Sequence, residues 1–87
     1  MISKEITIKT PHGLHLRVAA KIVRAVKQGT SKITFYKGGK KADTRSILDL
    51  LVLEATQDSP ITVVVEGGDE QNALQRMELV LIDGAGI

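Results

Sequence analysis

The chain has no cysteine and no tryptophan, only two prolines, and one residue each of phenylalanine and tyrosine among 87. Without cysteine there is no disulfide framework, no thiolate zinc site and no thiol nucleophile, so an apolar core must hold the fold unaided. A reducing, cytoplasmic setting fits that composition. With Phe35 and Tyr36 as the only aromatics, the several stacking platforms of a single-stranded nucleic-acid binder are not available. No apolar run approaches the roughly 18 residues of a membrane span. The opening Met1-Ile2-Ser3-Lys4-Glu5 also meets charge before any signal-peptide apolar region, so no membrane insertion is expected. What is present is 43% hydrophobic residues, too many for a disordered chain and enough for one small domain over residues 1–87.

Charge of one sign is scarce in each half. Residues 1–48 hold eleven Lys/Arg against Glu5 and Asp43, a balance of +9, whereas residues 49–87 hold Arg76 against eight acids, a balance of −7. A net charge of +2 thus hides a polar field, which points to a partner with an acidic docking surface or, as a rival, to a nucleic-acid backbone. An ordinary solvated surface is the plain alternative.

Ile2, Ile6 and Ile8 alternate with Glu5, Thr7 and Lys9, the period-two pattern of a half-buried strand over about 2 to 8. Thr10-Pro11-His12-Gly13 breaks it with turn chemistry. From Leu16 the set Leu16, Ala19, Ala20, Val23 and Val26 has helical spacing, predicting a helix over about 16 to 27 that Gly29 stops. Lys32 to Lys37, the turn Gly38-Gly39 and Lys40 to Thr44 read as a hairpin. Ser46, with Asp49 three residues later, caps a short apolar helix starting at Ile47. Asp58-Ser59-Pro60 precedes a Val-rich strand, Ile61 to Glu66, suited to the inside of a sheet. Asp69 is placed to cap a last helix with Ala73, Leu74, Met77 and Leu81 inward, stopped by Gly84-Ala85-Gly86. The order βαββαβα is α+β in two layers, an antiparallel sheet with helices on one face.

His15 falls at the N-cap of the first helix. The free N–H groups of a first helical turn and the helix dipole make an anion site there, and Arg17 adds a guanidinium, a setting suited to a phosphohistidine. A histidine that caps a helix for shape alone is the plain alternative. Lys21, Arg24 and Lys27 continue along the polar side of the same helix and would steer an acidic partner to it. Ser46 is a second candidate, because a phosphate on a helix N-cap is stabilised by the same donors, with Arg45 adjacent. Ile47, Leu48 and Leu51 cannot all point inward from a short helix, so part of that set is left for docking or packs under the sheet edge. Other motifs fail. Gly39-Lys40 lacks the P-loop pattern, and His12 with His15 lacks the cysteine or acid cluster that completes a zinc site, so no metal and no cofactor is expected.

Gly13-Leu14-His15-Leu16-Arg17-Val18-Ala19-Ala20 resembles the histidine motif of the phosphocarrier family HPr of the bacterial sugar phosphotransferase system. Gly38-Gly39-Lys40, Arg45-Ser46-Ile47-Leu48 and Glu66-Gly67-Gly68-Asp69-Glu70 match the family's order and spacing over nearly the whole chain. The resemblance implies an open-faced β-sandwich with strand order 1-4-2-3 and three helices on one face. It also implies a stoichiometric phosphoryl carrier, more than a true enzyme, and a monomer. His15 would accept the group through Nδ1 from phosphorylated Enzyme I and pass it to an Enzyme IIA-type acceptor, with Arg17 stabilising it. Leu16, Lys21, Arg24, Lys27, Ile47, Leu48 and Leu51 would dock both partners. Ser46 would be a regulatory site for an ATP-dependent HPr kinase/phosphorylase, acting through a transcriptional regulator. A module that docks a regulator through Ser46 without a histidine relay is the rival. The chain departs from the family at Val18, where proline is usual, at the bulky Leu16, and at His12, where a small polar residue is usual.

Overall fold

The computed structural model describes residues 1–83. Its elements are β1 (Ile2–Thr7), α1 (Leu16–Lys27), β2 (Lys32–Lys37), β3 (Lys40–Asp43), α2 (Ile47–Val52), β4 (Pro60–Glu66) and α3 (Glu70–Glu78), the last continued by a π-helical turn over Leu79–Asp83. The four strands form one antiparallel sheet in the order β1-β4-β2-β3, as the resemblance implies. The glycine stop at residues 84–86 lies outside the described residues.

Register explains which face the helices cover. Ile6 faces Ile61, Ile2 and Ile33 both face Val65, and Val63 and Ala42 both face Phe35. Directly paired residues share a face, so these side chains form one apolar floor. Ile6, Ile33, Phe35, Ala42, Ile61, Val63 and Val65 are all buried in it. The Val-rich β4 lies inside the sheet as its composition predicts, yet it alternates: Ile61, Val63 and Val65 are buried and Thr62 and Val64 are half-buried on the open face. Lys4 falls on the helix-side register opposite Val63, and as an edge-strand residue it reaches Glu78 of α3 at 2.9 Å. Pro60 starts β4, where its missing N–H costs least.

Two sequence expectations are corrected. The inward face of α1 is Val18, Ala19, Ile22 and Val26, while Leu16 is 62% exposed and Ala20 and Val23 are half-buried. Both sets have helical spacing, and the sheet's position selects between them. Asp69 does occupy the α3 N-cap but makes no capping hydrogen bond. Its carboxylate instead accepts from the Ser31 hydroxyl, from Arg76 at 3.0 Å and from the Thr30 amide at 3.4 Å, tying the α1–β2 connection to α3. Those bonds, the one from Ser31 foremost, hold its pKa down at about 2. Glu70 satisfies the Gly67 amide and pairs with the N-terminal ammonium, each at 3.0 Å.

Candidate functional site

The connection from β1 to α1 determines where His15 sits. The Gly13 amide donates to the Thr10 carbonyl at 3.0 Å, closing a four-residue turn with Pro11 second and His12 third at φ +65. Proline followed by a positive φ is the type II pattern. Gly13 follows at φ +66, and a Cβ there would lie 2.3 Å from the Ala55 carbonyl oxygen. Glycine therefore lets this loop lie against residues 55 and 56. The Leu14 amide donates to the same oxygen at 2.9 Å, and the Leu14 side chain is buried. With both neighbours fixed, His15 enters the N-cap with extended backbone, φ −87 and ψ 177.

There its Nδ1 accepts the Arg17 amide N–H at 3.3 Å. Nδ1 therefore holds a lone pair and the neutral ring carries its proton on Nε2. That hydrogen bond also aims Nδ1 at the first turn of α1, whose N–H groups lack helical acceptors. Val18 occupies the third helical position, is fully buried, and keeps an amide that proline would lack. The Arg17 side chain is exposed and makes no ion pair among the described residues.

A cleft of about 480 Å³ opens at this corner, lined by Lys9, Thr10, Pro11, His12, His15, Arg17, Val18, Ile82 and Asp83. The structure thus brings His15 and Arg17 together, and adds His12, Lys9 and Asp83. Lys9 is paired with Asp58 at 3.0 Å. The contribution of Ile82 and Asp83 carried no local signal, because it comes from the far end of the chain. No group of three or more potential metal-binding His, Cys, Asp or Glu exists among the described residues.

Lys21, Arg24 and Lys27 continue from this corner along α1, with Lys21 half-buried. Lys21 and Arg24 also line a smaller groove with Gln28, Arg76 and Leu79. Ser46 caps α2, its Oγ accepting the Asp49 amide at 3.2 Å, while the Asp49 carboxylate accepts the Asp43 amide at 3.1 Å. On α2, Leu50 is fully buried and Ile47 and Leu51 are half-buried against the core. The outward apolar pair is Leu48, 75% exposed, and Val52, 62% exposed, one turn apart. Of the apolar side chains named for docking from sequence, Leu16 and Leu48 are exposed and Ile47 and Leu51 are half-buried, and the exposed Val52 was not among them.

A histidine N-capping the first helix of an open-faced α+β sandwich, beside an arginine with no ion pair among the described residues, places the chain among small histidine-bearing domains. The chain belongs to the HPr family, the phosphocarriers of the phosphotransferase system: the family described as "PTS HPr component phosphorylation site" matches residues 2–82. It is 35% identical over 83 residues to the phosphocarrier protein HPr of Buchnera aphidicola, covering 95% of this chain and 98% of that one. It is 38% identical over 77 residues to the HPr-like protein Crh of Halalkalibacterium halodurans, covering 88% and 92%. A crystal structure of HPr from Thermoanaerobacter tengcongensis superposes with a TM-score of 0.86 at 32% identity, covering 97% of this chain and 93% of that one.

Proposed function

We propose that the chain relays a phosphoryl group on His15 from phosphorylated Enzyme I to an Enzyme IIA-type acceptor. The observation that carries this is the N-cap geometry: Nδ1 faces the Arg17 amide at 3.3 Å at the mouth of a cleft that Arg17 also lines. In the transfer, the Nδ1 lone pair forms the new N–P bond as the donor's bond to phosphorus breaks, and the ring proton stays on Nε2. The Arg17 amide, released from Nδ1, donates to a phosphoryl oxygen instead. Other first-turn amides and the Arg17 guanidinium neutralise the remaining charge. Delivery to the acceptor is the same step reversed, so one site serves both partners.

Both partners would dock on the basic stripe Lys21, Arg24 and Lys27 and on the apolar side chains Leu16, Leu48 and Val52, which are exposed on α1 and α2. α1 packs beside α2, so the two features adjoin. Regulation at Ser46 rests on its position in that surface. A phosphate there would add charge next to Leu48 and oppose an acidic partner. It would also have to displace the Asp49 amide and face the Asp43 and Asp49 carboxylates, with Arg45 as the nearest offset in sequence. A regulatory module that docks a partner through Ser46 without a histidine relay is the second reading, and it rests on the place of Ser46 at the α2 N-cap beside the exposed Leu48.

The test is phosphate transfer from Enzyme I charged with labelled phosphoenolpyruvate. His15→Ala should take up no label, and Arg17→Glu should retain its melting temperature while transfer slows by 10-fold or more, on the order expected for losing a charge-stabilising donor. An unaltered rate in Arg17→Glu would remove Arg17 from the site. Label on the His15→Ala protein would move the site elsewhere.

A further inference from the structure

A second hollow, between α1 and the end of α3, shares no lining residue with the His15 cleft and encloses about 210 Å³. Lys21 and Arg24 of α1, Gln28 just beyond it and Arg76 of α3 supply its polar lining. Leu79 and Val80 of the π-helical turn supply an apolar wall, and Leu79 is 50% exposed there. Three cations thus meet with no acid among the lining residues, whereas the His15 cleft includes Asp83. Lys21 and Arg24 make no ion pair among the described residues.

The third cation is fixed by the fold and only partly matched. Arg76 Nη2 donates to Asp69 at 3.0 Å, and Gly29 leaves room for the guanidinium, since a Cβ there would collide with Nη2. A guanidinium carries five N–H donors. Among the described residues its one acceptor is Asp69, which also accepts from Thr30 and Ser31, and the buried Nε–H has none. A buried donor without an acceptor is costly, so negative charge brought against this group is favoured. We propose that the groove binds a small organic phosphate, its phosphate among Lys21, Arg24 and Arg76 and its short carbon skeleton against Leu79 and Val80.

The chemistry of the walls selects that class. A guanidinium fork matches carboxylate and phosphate alike, but three cations match a dianion better than a monoanion, which favours a phosphate monoester. α1 ends beside the groove, and its dipole places about half a negative charge there, which three full positive charges outweigh. The volume is below the roughly 300–1,000 Å³ of clefts that take drug-sized ligands, so the skeleton is a few carbons long. The site needs neither His15 nor Enzyme I, and so stands apart from the relay.

The experiment titrates the isotope-labelled protein with glycerol 3-phosphate, with inorganic phosphate and with sodium chloride at matched ionic strength, and follows the amide NMR shifts. Glycerol 3-phosphate should give saturating shifts over residues 21–28 and 76–80. Inorganic phosphate should shift the same residues with several-fold weaker affinity, because it leaves the apolar wall uncovered, and chloride should not saturate. Arg24 is exposed, so Arg24→Gln keeps the fold. It should weaken groove binding about tenfold, on the order expected for one unit charge some 6 Å away in the intermediate dielectric of a surface groove. Lys21→Gln should act similarly. Arg17→Gln, which alters the separate anion site at the start of α1, should leave the groove titration unchanged. Shifts confined to residues 15–18, equal shifts with chloride, or wild-type affinity in both Arg24→Gln and Lys21→Gln would overturn the proposal.

Discussion

Gly13→Ala tests how the fold holds His15 in place. The added Cβ would stand 2.3 Å from the Ala55 oxygen and 2.6 Å from the Thr56 Cα, both backbone atoms that no rotamer change can move. A non-glycine residue in the left-handed region costs about 1–2 kcal/mol. Relieving the clash requires parting residues 13–14 from 55–56, which breaks the 2.9 Å Leu14 amide bond to Ala55 for about another 1 kcal/mol. A total of about 2–3 kcal/mol corresponds to a fall in Tm of roughly 8–24 °C for a domain of this size. Gly38→Ala is the control, because Gly38 has φ +59 but nothing within 4 Å of its would-be Cβ. It should lose only the backbone share, about 4–16 °C. Thermal melts followed by circular dichroism measure both. Labelling by Enzyme I well below either melt should be slower for Gly13→Ala alone, since only there does the N-cap move. Equal Tm losses in the two variants, or a loss under about 4 °C for Gly13→Ala, would refute the close-approach argument.

Two further predictions concern the Asp69 tie and the docking surface. The depressed pKa of Asp69 means that its ionised form is stabilised by folding; that stabilisation is complete above the unfolded value of about 3.9 and is lost as pH falls towards about 2. Asp69→Asn should lower Tm at pH 7 and flatten the decline of Tm between pH 4 and pH 2; an unchanged acid limb would show that other carboxyls control it. Leu48→Lys changes an exposed side chain, so stability should stay within about 0.5 kcal/mol while transfer from Enzyme I slows several-fold. A wild-type rate would take α2 out of the docking surface.

The element order was legible because the apolar periods are clean where a strand or helix has one buried face, as at Ile6, Ile33 and Phe35. The inward face of α1 was not, because residues 16, 18, 19, 20, 22, 23, 25 and 26 are all apolar and form two stripes at helical spacing. Only the position of the sheet decides that Val18 and Ile22 go in and Leu16 stays out. On α2 the same ambiguity hid Val52 behind Ile47 and Leu51. Asp69 sits where a cap belongs, and its sequence neighbours give no hint that Ser31 and Arg76 compete for it across the fold. The site itself was half legible: His15 and Arg17 lie two residues apart on one motif, whereas the cleft that joins them to His12 and Asp83 is closed by the far end of the chain.

The relay reading stands or falls on where the phosphate is and what it is bonded to. After incubation with Enzyme I and phosphoenolpyruvate, phosphorus NMR and peptide mapping at alkaline pH should find one phosphate on Nδ1 of His15, stable in base and lost within minutes in acid. An acid-stable phosphate on Ser46, or no phosphate on a folded protein with a working Enzyme I control, would contradict the account.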